Sequence, residues 1–399
     1  MRILHTSDWH LGRTLHGVDL HEAHTVFLDH LVEVARDRDV DVVVVAGDVY
    51  DRAVPAVASV KLLSDALSRL SEVATIVITP GNHDSGARLG FAAGLMRPGV
   101  HILAQVERLH EPVVISDEAG PVAFYGVPYL EPDLVRDALA PAAAPTPGSE
   151  QGAQDATPRL ARSHEAVVGA ALDRIRDDLA GRPGTRSVAA AHAFVVGGAR
   201  TESERDIRVG GVDSVPSEVF EGLDYVALGH LHGAQRVGPA DGPALRYSGS
   251  PLAFSFGEKG QVKSTAIVDL AADGTVAVEL VPTPVPRRLA EVTGDLADLL
   301  SGAHDDLADA WLRVFVTDPV HPAGLHARIR ERFPHALSIQ HTPVGGPAVS
   351  RRRAITPDTD PVAVATDFVA FATGGAATDA ETAVLRAAYE QARAAEGSA

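Results

Sequence analysis

The chain has 399 residues, more than one ordinary hydrophobic core can organise, so two or three domains are expected. Hydrophobic residues make up 45% and charged residues 22%, proportions that exclude a disordered protein. The formal net charge of −18 excludes a protein that coats nucleic acid through a diffuse positive field. Because there is no cysteine, any metal must be held by nitrogen and oxygen ligands. No apolar run approaches a membrane span and no leader pattern opens the chain, which predicts a cytoplasmic protein.

The first third of the chain alternates predicted strands and helices. Short β-branched runs such as DVVVVA at 41–46 are typical of strands buried on both faces, and apolar residues at helical spacing lie between them. The predicted elements are strand 2–6, helix 20–38, strand 41–46, helix 56–70 and strand 73–79. This repetition predicts a layered α/β fold.

The middle of the chain predicts further strands and two breaks. Strands are expected at 121–127, 187–192 and 224–228, with a hairpin at 264–280 that turns at 272–274. Residues 138–157 are rich in Ala, Pro and Gly, which predicts a flexible surface insertion. The proline-rich stretch 282–286 predicts a stiff linker and a domain boundary.

A smaller unit and a pair of helices are predicted after this linker. Residues 288–340 resemble a small α/β unit with strands at 311–316 and 336–340. The arginine run 351–353 precedes two amphipathic helices at 361–372 and 380–395, which are separated by Gly374 and Gly375. A helical pair has little core of its own, so it either folds back on the chain or docks on another protein.

Metal-competent side chains follow five of the predicted strands. The motifs are D-x-H at Asp8 and His10, G-D-x-x-D at Asp48 and Asp51, G-N-H-D at Asn82, His83 and Asp84, a strand-end histidine at His192, and G-H-x-H at His230 and His232. Ligands of open α/β sheets bind at the carboxyl ends of the strands, so these side chains are expected at one rim. Gly47, Gly81 and Gly229 beside them are expected to permit tight turns. One such motif is weak, but the ordered set is specific.

These residue types suit the hydrolysis of a phosphodiester. Two divalent ions about 3.5–4 Å apart lower the pKa of a bound water and neutralise the charge that develops on the phosphate. One carboxylate must bridge the ions, while imidazoles and an amide oxygen complete each shell without excess negative charge. Such ligands suit Mn²⁺, Fe²⁺ or Zn²⁺, and the mixture of carboxylate, imidazole and water favours Mn²⁺.

The ordered set resembles the calcineurin-like metallophosphoesterases. Further stretches resemble the nuclease subunits of bacterial double-strand-break complexes within that superfamily, and together they extend from residue 1 to about residue 260. These stretches are HTSDWHLG at 5–12, TESER at 201–205 leading into VGG at 209–211, DYVALGHLH at 224–232, RYSGSP at 246–251 and FSFGE at 254–258.

The resemblance implies a role for each site residue. One metal would be held by Asp8, His10 and His232, the other by Asn82, His192 and His230, with Asp48 as the bridge. His83 would act on the phosphate without binding metal, and Asp84 would orient His83. In archaeal and eukaryotic relatives a second histidine stands three residues after the bridging aspartate. Here that position is Asp51, which puts a mechanism with two histidines in doubt.

The resemblance also implies an architecture and partners. We expect a four-layer α/β/β/α metallophosphoesterase sandwich at 1–284, a DNA-contacting α/β cap at 287–345, and C-terminal helices at 355–399 that dock on the coiled coil of an ABC-type ATPase. Such subunits form homodimers and digest double-stranded DNA ends from 3′ to 5′, with endonuclease action on hairpins and single strands. They take part in DNA repair, recombination and replication.

Simpler interpretations apply to several residues. His5 is expected in the core of the first strand, Trp9 is expected to pack and hold its loop, and His21 and His24 are expected on a solvated helix face. The stretch 201–205 is expected to shape access to the metal rim. Two rival functions remain: a phosphoesterase for small nucleotides, which would need no cap or docking helices, and an inactive scaffold, which would lack a ligand.

Overall fold

The computed structural model describes residues 1–141, 159–204, 214–344, 360–373 and 375–396. Most of the predicted insertion, the VGG stretch at 209–211 and the arginine run at 351–353 lie outside these residues. Contacts between residues divide the chain into two units, Met1–Leu289 and Ala290–Ala399. In the described part of the chain, no helix combines the length and apolarity that a membrane crossing requires.

The first unit contains two large sheets and the helices that cover them. Its strands in chain order are β1 Arg2–Thr6, β2 Thr14–Leu15, β3 Val18–Asp19, β4 Val42–Ala46, β5 Thr75–Thr79, β6 Val100–Ile102, β7 Val113–Asp117, β8 Gly120–Val127, β9 Arg186–His192, β10 Phe194–Val195, β11 Ser214–Val215, β12 Tyr225–Gly229, β13 Gln235–Val237, β14 Ala244–Tyr247, β15 Ser264–Leu270 and β16 Val276–Pro282. Its helices are α1 His21–Asp37, α2 Val57–Leu70, α3 Gly86–Leu89, α4 Pro132–Leu139 and α5 His164–Ala180.

The two sheets have six strands each. One has the order β16-β15-β1-β4-β5-β6 and the other β13-β14-β12-β9-β8-β7. The strands β1, β4, β5 and β6 pair in parallel, as do β8, β9, β12 and β14, so their carboxyl ends meet at one edge of each sheet. The outer strands β16, β15, β13 and β7 pair antiparallel with their neighbours.

Three apolar layers hold this unit together. Side chains of both sheets, such as Val44, Val77, Phe124 and Ala190, form the layer between the sheets. The opposite face of the first sheet packs on α1 and α2, and that of the second packs on α4 and α5. All five residues of β4 are buried, because each face of this strand meets an apolar layer. The predicted four-layer α/β/β/α sandwich is therefore confirmed.

The second unit has its own small core. A sheet of order β17-β18-β19 is built from β17 Leu289–Gly294, β18 Trp311–Val316 and β19 Ala336–His341, and it packs on α6 Leu296–Leu299 and α7 Leu325–Arg332. Alternate residues of β18 are buried, as expected for a strand with one covered face. Two further helices follow, α8 Pro361–Thr373 and α9 Asp379–Glu396, and they pack against each other.

Several helices and strands were not predicted from the sequence. The largest is α5, although Ser163 accepts a hydrogen bond from the Ala166 backbone N–H at its start and its apolar residues recur at helical spacing. Residues 138 and 139, assigned to the insertion, are instead the last residues of α4. The strands β7, β13 and β14 were also missed, because they are short and only partly apolar.

Candidate metal centre

The metal-competent side chains lie in loops at the carboxyl ends of five parallel strands. Asp8 and His10 follow β1, Asp48 follows β4 and Asn82 follows β5, while His192 ends β9. The remaining two, His230 and His232, follow β12. The sandwich brings the two sets together, because the sheets face each other across their shared apolar layer.

Backbone contacts join these loops across the two sheets. The Asp8 N–H donates to Gly47 O at 3.0 Å and the His10 N–H to Asp48 O at 2.9 Å, which joins the loops of the first sheet. The His230 N–H donates to the Asp8 carboxylate at 3.0 Å. These bonds hold the loops in register before any metal binds.

The backbone at the ligands is strained. Asp8, His10, Asp48 and His230 have φ values of 53°, 46°, 50° and 105°, a region that residues with side chains rarely adopt. Such strain persists only where the surrounding structure over-determines it, and it clusters at functional sites.

The glycines beside the ligands have two different roles. Gly47 has a φ of 87°, as the expected tight turn requires. The φ values of Gly81 and Gly229 are not positive, so the backbone conformation does not itself require glycine there. Both glycines allow close approach instead: a Cβ on Gly81 would lie 2.2 Å from Asp48 Oδ1, and one on Gly229 would lie 1.8 Å from Ala46 O.

One group of ligands surrounds His10. Ligand atoms of Asp8, His10 and His232 lie within 4.8 Å of one another. The Nε2 atoms of His10 and His232 are 3.2 Å apart, and His10 Nε2 is 3.6 Å from Asp48 Oδ2. All four side chains are buried.

A second group of ligands surrounds His192. Ligand atoms of Asp8, Asp48 and His192 also lie within 4.8 Å of one another, and His192 Nε2 is 3.5 Å from Asp48 Oδ2. Asn82 Oδ1 lies 2.9 Å from His192 Nε2 and 3.3 Å from His230 Nδ1. Asp48 therefore lies between the two groups, where a bridging carboxylate would have to be.

The electrostatics of the centre fit divalent cations. Burial and the charge of Asp48 raise the pKa of Asp8 well above its usual value, while burial lowers the pKa of His10 and of His230. Buried carboxylates and neutral imidazoles are the ligand forms that bind a metal, and a cation would relieve the repulsion between Asp8 and Asp48. The seven residues thus fit a centre with two metals.

Comparisons with known proteins agree with this geometry. Residues 1–141 match the family model described as calcineurin-like phosphoesterase, and residues 285–371 match the one described as type 5 capsule protein repressor C-terminal domain. The chain is 33% identical over 352 residues to the D subunit of the nuclease SbcCD of Bacillus subtilis (strain 168), covering 85% of each protein. The chain belongs to the SbcD family. The resemblance inferred from the sequence motifs is thereby confirmed, and the chain is a metallophosphoesterase that hydrolyses phosphodiester bonds.

Two solved structures also align with the chain. One is TT1561 of Thermus thermophilus, at 14% identity and a TM-score of 0.39, covering 70% of this chain and 98% of that one. The other is GAP50, the anchor in the inner membrane complex of Plasmodium, at 10% identity and a TM-score of 0.38, covering 71% and 84%. Membership of the SbcD family rests on the sequence comparison.

The partners of His83 and Asp84 differ from the expected pair. His83 Nε2 points into the centre, 4.0 Å from Asp48 Oδ2, and its Nδ1 lies 2.8 Å from the backbone oxygen of Asp51. Asp84 does not hold this ring. Its carboxylate accepts backbone N–H groups of Val49, Tyr50 and Gly81 at 2.9–3.0 Å. Asp84 therefore joins the loops after β4 and β5, because three converging backbone donors satisfy a carboxylate better than one imidazole would.

Asp51, three residues after Asp48, faces two imidazoles of the centre. Its Oδ1 lies 3.7 Å from His10 Nδ1, 3.9 Å from His83 Nδ1 and 3.6 Å from an Arg13 nitrogen. An anionic side chain here cannot stabilise a phosphate as a histidine could. It is placed instead to attract the N–H groups of the imidazoles that face it.

Some residues that line the centre or support its ligands were not predicted from the sequence. Phe254 lies 5.1 Å from the ring of His10 and 5.4 Å from that of His232, and the Arg13 guanidinium lies 4.8 Å from its centroid. The carboxylate of Glu204 accepts the His232 backbone N–H at 2.9 Å. Phe254 and Glu204 belong to stretches that carried the family resemblance, which is the signal that could have found them.

Three simpler interpretations have different outcomes. His5 is buried between the Tyr225 hydroxyl and Leu228 O, and Trp9 is buried with its indole N–H on Thr6, so both predictions of packing are confirmed. The solvated position expected for His24 is wrong, since it is buried with Nε2 2.9 Å from Trp9 O. Burial lowers the pKa of His24 to about 4. Through its hydrogen bond to Trp9 O, His24 supports the loop that carries Asp8 and His10.

Proposed function

We propose that this protein is a DNA nuclease with two metals that works with an ABC-type ATPase subunit, SbcC. The observation that carries the proposal is the position of Asp48, which lies between two groups of ligands with His83 beside it. The name of the Bacillus subtilis relative, the D subunit of the nuclease SbcCD, supports both the nuclease activity and the partnership.

The ligand assignment follows the two groups. Asp8, His10 and His232 would hold one metal, Asn82, His192 and His230 the other, and Asp48 both. Bound divalent ions, for which we propose Mn²⁺, would supply an activated water and positive charge for the phosphate. The chain supplies positions for the ligands, since strained backbone at Asp8, His10, Asp48 and His230 and hydrogen bonds between loops hold these side chains.

His83 would act on the phosphate. Its Nδ1 faces a carbonyl oxygen and therefore carries a proton, which leaves Nε2 directed into the centre. A protonated His83 can donate from Nε2 to a phosphate oxygen or to the departing 3′ oxygen. Asp84 would act indirectly, by fixing the loop on which His83 lies.

The rest of the chain would supply substrate and partner contacts. We propose a nuclease domain at 1–284, a cap at 287–345 that contacts DNA, and helices at 355–399 that dock on the SbcC coiled coil. Phe368 of α8 and Val384 of α9 are 67% and 68% exposed, as apolar docking residues would be in the free subunit. The location would be the cytoplasm, where DNA and an ATPase partner are found.

A second copy of the chain is the proposed homodimer partner. Phe91 and Leu95, which are 79% and 88% exposed, could meet their equivalents in such a dimer. We also propose digestion of duplex ends from 3′ to 5′ and endonuclease action on hairpins and single strands. These activities would serve DNA repair, recombination and replication.

The test is cleavage by purified protein with Mn²⁺. A labelled blunt duplex and a hairpin should be degraded or nicked, and His83→Ala should bind two metals as the wild type does but lose at least about 100-fold in rate. His110→Ala, which changes an exposed histidine outside the centre, is the matched control and should keep full activity. Cleavage of phosphomonoesters or cyclic nucleotides, without cleavage of DNA even after SbcC is added, would favour the small-substrate rival. Failure to bind metal would favour the scaffold.

A further inference from the structure

His232 is supported from behind by a buried polar cluster. Ser203 Oγ lies 2.6 Å from His232 Nδ1 and donates to Glu258 Oε1 at 2.5 Å. Glu258 is an ion-pair partner of Lys263, and the Lys263 ammonium also donates to the His232 backbone oxygen at 2.9 Å. Of these, Glu258 and Lys263 are almost fully buried.

The cluster determines which nitrogen of His232 carries the proton. Nε2 faces the metal centre, 3.2 Å from His10 Nε2, so a metal ligand requires its lone pair there. Nδ1 must then carry the hydrogen and donate it to Ser203 Oγ. The serine hydroxyl can accept this bond because its own hydrogen is directed at Glu258, and the charged carboxylate at 2.5 Å is a stronger acceptor than Thr201 Oγ1 at 2.9 Å.

Glu258 is an anion in this cluster. Its carboxylate pairs with the buried Lys263 ammonium, and its Oε1 accepts the Ser203 hydroxyl at 2.5 Å. The Phe254 backbone N–H donates to the same oxygen at 3.1 Å. A fixed negative charge therefore lies behind the ring of His232, which makes the imidazole a better electron donor to a cation.

The segment that carries Ser203 is attached to the centre at several points. Arg13 donates to Ser203 O at 2.9 Å, and Glu204, the next residue, accepts the His232 backbone N–H. Four residues before Ser203, the backbone of Ala199 exchanges two hydrogen bonds with the Gln235 side chain. The hydroxyl of Ser203 is thus held in place.

We propose that Ser203 and Glu258 are positioning residues that fix the ring and the tautomer of His232, and so control the affinity of one of the two metal positions. This inference rests on the proposed role of His232 as a metal ligand. It assigns to the TESER stretch and to Glu258 a function in metal loading beyond shaping access to the rim.

The test compares metal binding by three variants. Ser203→Ala removes the hydroxyl that links His232 to Glu258, and Ser203→Thr keeps a hydroxyl at this position. Ser255→Ala removes a different hydroxyl, which lies 3.4 Å from Glu258 Oε1. Titration calorimetry with Mn²⁺ should show the position that includes His232 weakened about 10–100-fold in Ser203→Ala, with the other position unchanged. Ser203→Thr and Ser255→Ala should bind two ions like the wild type.

Electron paramagnetic resonance supplies a second readout. At two equivalents of Mn²⁺, Ser203→Ala should show the hyperfine pattern of an isolated ion where the wild type shows a spin-coupled pair. Two wild-type affinities in Ser203→Ala would overturn the inference. So would the loss of both metals together with a lower melting temperature of the metal-free protein, because Ser203 would then support the fold and not the ring. If the wild type itself bound no pair of ions, the proposed function would fail instead.

Discussion

At the scale of single residues, Asp84 shows how a side chain in a catalytic motif can act through the backbone. Its two oxygens accept N–H groups from Val49, Tyr50 and Gly81, which belong to the loops after β4 and β5. Burial and the charge of Asp48 raise its pKa to about 7. The carboxylate is thus a link between loops, and the ring of His83 depends on it only through the chain.

Removal of Asp84 should therefore differ from removal of His83. Asp84→Ala leaves three backbone donors without their acceptor, so we expect it to lower the free energy of unfolding by about 3 kcal/mol and to weaken Mn²⁺ binding. His83→Ala should leave both quantities near their wild-type values and reduce only turnover. Urea unfolding and calorimetry on the two variants check this. Equal stability of both variants would restore the orienting role first expected for Asp84.

His24 predicts a dependence of stability on pH. Burial lowers its pKa from 6.5 to about 4 in the fold, so the unfolded chain takes up a proton that the folded chain does not. Stability should consequently fall as the pH falls from about 6.5 to about 4. At about 1.4 kcal/mol per pKa unit, this one histidine accounts for about 3 kcal/mol over that range.

The variant His24→Gln isolates this effect. A glutamine amide can still donate to Trp9 O but does not titrate. The stability of the variant should therefore fall less steeply toward acid pH than that of the wild type. Unfolding by urea at a series of pH values measures both slopes. His21→Gln, at an exposed position of the same helix, should keep the wild-type slope. Equal slopes of stability against pH for the wild type and His24→Gln would show that His24 is not held neutral by burial.

The sequence indicated the positions of the proposed metal ligands for a physical reason. Residues at the ends of parallel strands must meet at one rim, so positions such as Asp8, Asn82 and His230 could be predicted from local pattern alone. Ser203 and Glu258 could not, because they lie in irregular segments whose approach to His232 depends on the whole packing of the rim. The burial of His24 could not be predicted either, because helical periodicity does not show that the loop of Trp9 packs over this position.

At the scale of elements, the meeting of β12 with β4 across the sandwich determines the geometry of the centre. Gly229 ends β12, and a Cβ there would lie 1.8 Å from Ala46 O and 2.8 Å from His192 Nδ1. The two sheets approach this closely only because the position has no side chain. The pattern G-H-x-H is thus a packing requirement as well as a ligand motif.

Gly229→Ala should separate the sheets at the rim. We expect it to cost more than about 3 kcal/mol of stability, or to prevent folding, because neither the carbonyl nor the buried imidazole can move away freely. Gly169→Ala in α5 is the matched control. A Cβ at Gly169 meets nothing within 4 Å, so this change should raise stability by about 0.5–1 kcal/mol through helix propensity. Melting temperatures measure both changes, and a stable Gly229→Ala would contradict the close approach.

Element boundaries were predictable where the residues of a strand show a regular apolar pattern. The strands at 2–6 and 311–316 were predicted with the bounds that the structure shows, since continuous apolar runs and alternation are strong local signals. The outer strands β7 and β13 lack such runs because one face is open. The helix α5 was missed although the sequence contains both of its signals, the Ser163 cap and apolar residues at helical spacing.

At the scale of the whole molecule, the division into two units separates the proposed metal ligands from the proposed docking helices. Every proposed metal ligand lies in Met1–Leu289, whereas α8 and α9 belong to Ala290–Ala399. The two helices pack on each other and leave apolar side chains such as Phe368 and Val384 exposed. If these helices dock on the ATPase subunit as proposed, a pair with so little core would gain stability mainly from that partner surface.

A chain ending after residue 345 should therefore lose its partner and keep its metals. We expect the truncated protein to bind two Mn²⁺ ions with wild-type affinity and to nick a hairpin by itself, because the centre and its supporting loops are unchanged. Co-purification with the ATPase subunit should fall to background. Phe368→Glu with Val384→Glu, in the full chain, should reproduce that loss without any deletion, since a charge on an apolar contact must be desolvated to dock. Wild-type complex formation by the double variant would place the docking surface elsewhere, and loss of Mn²⁺ binding on truncation would mean that the helices support the metal centre itself.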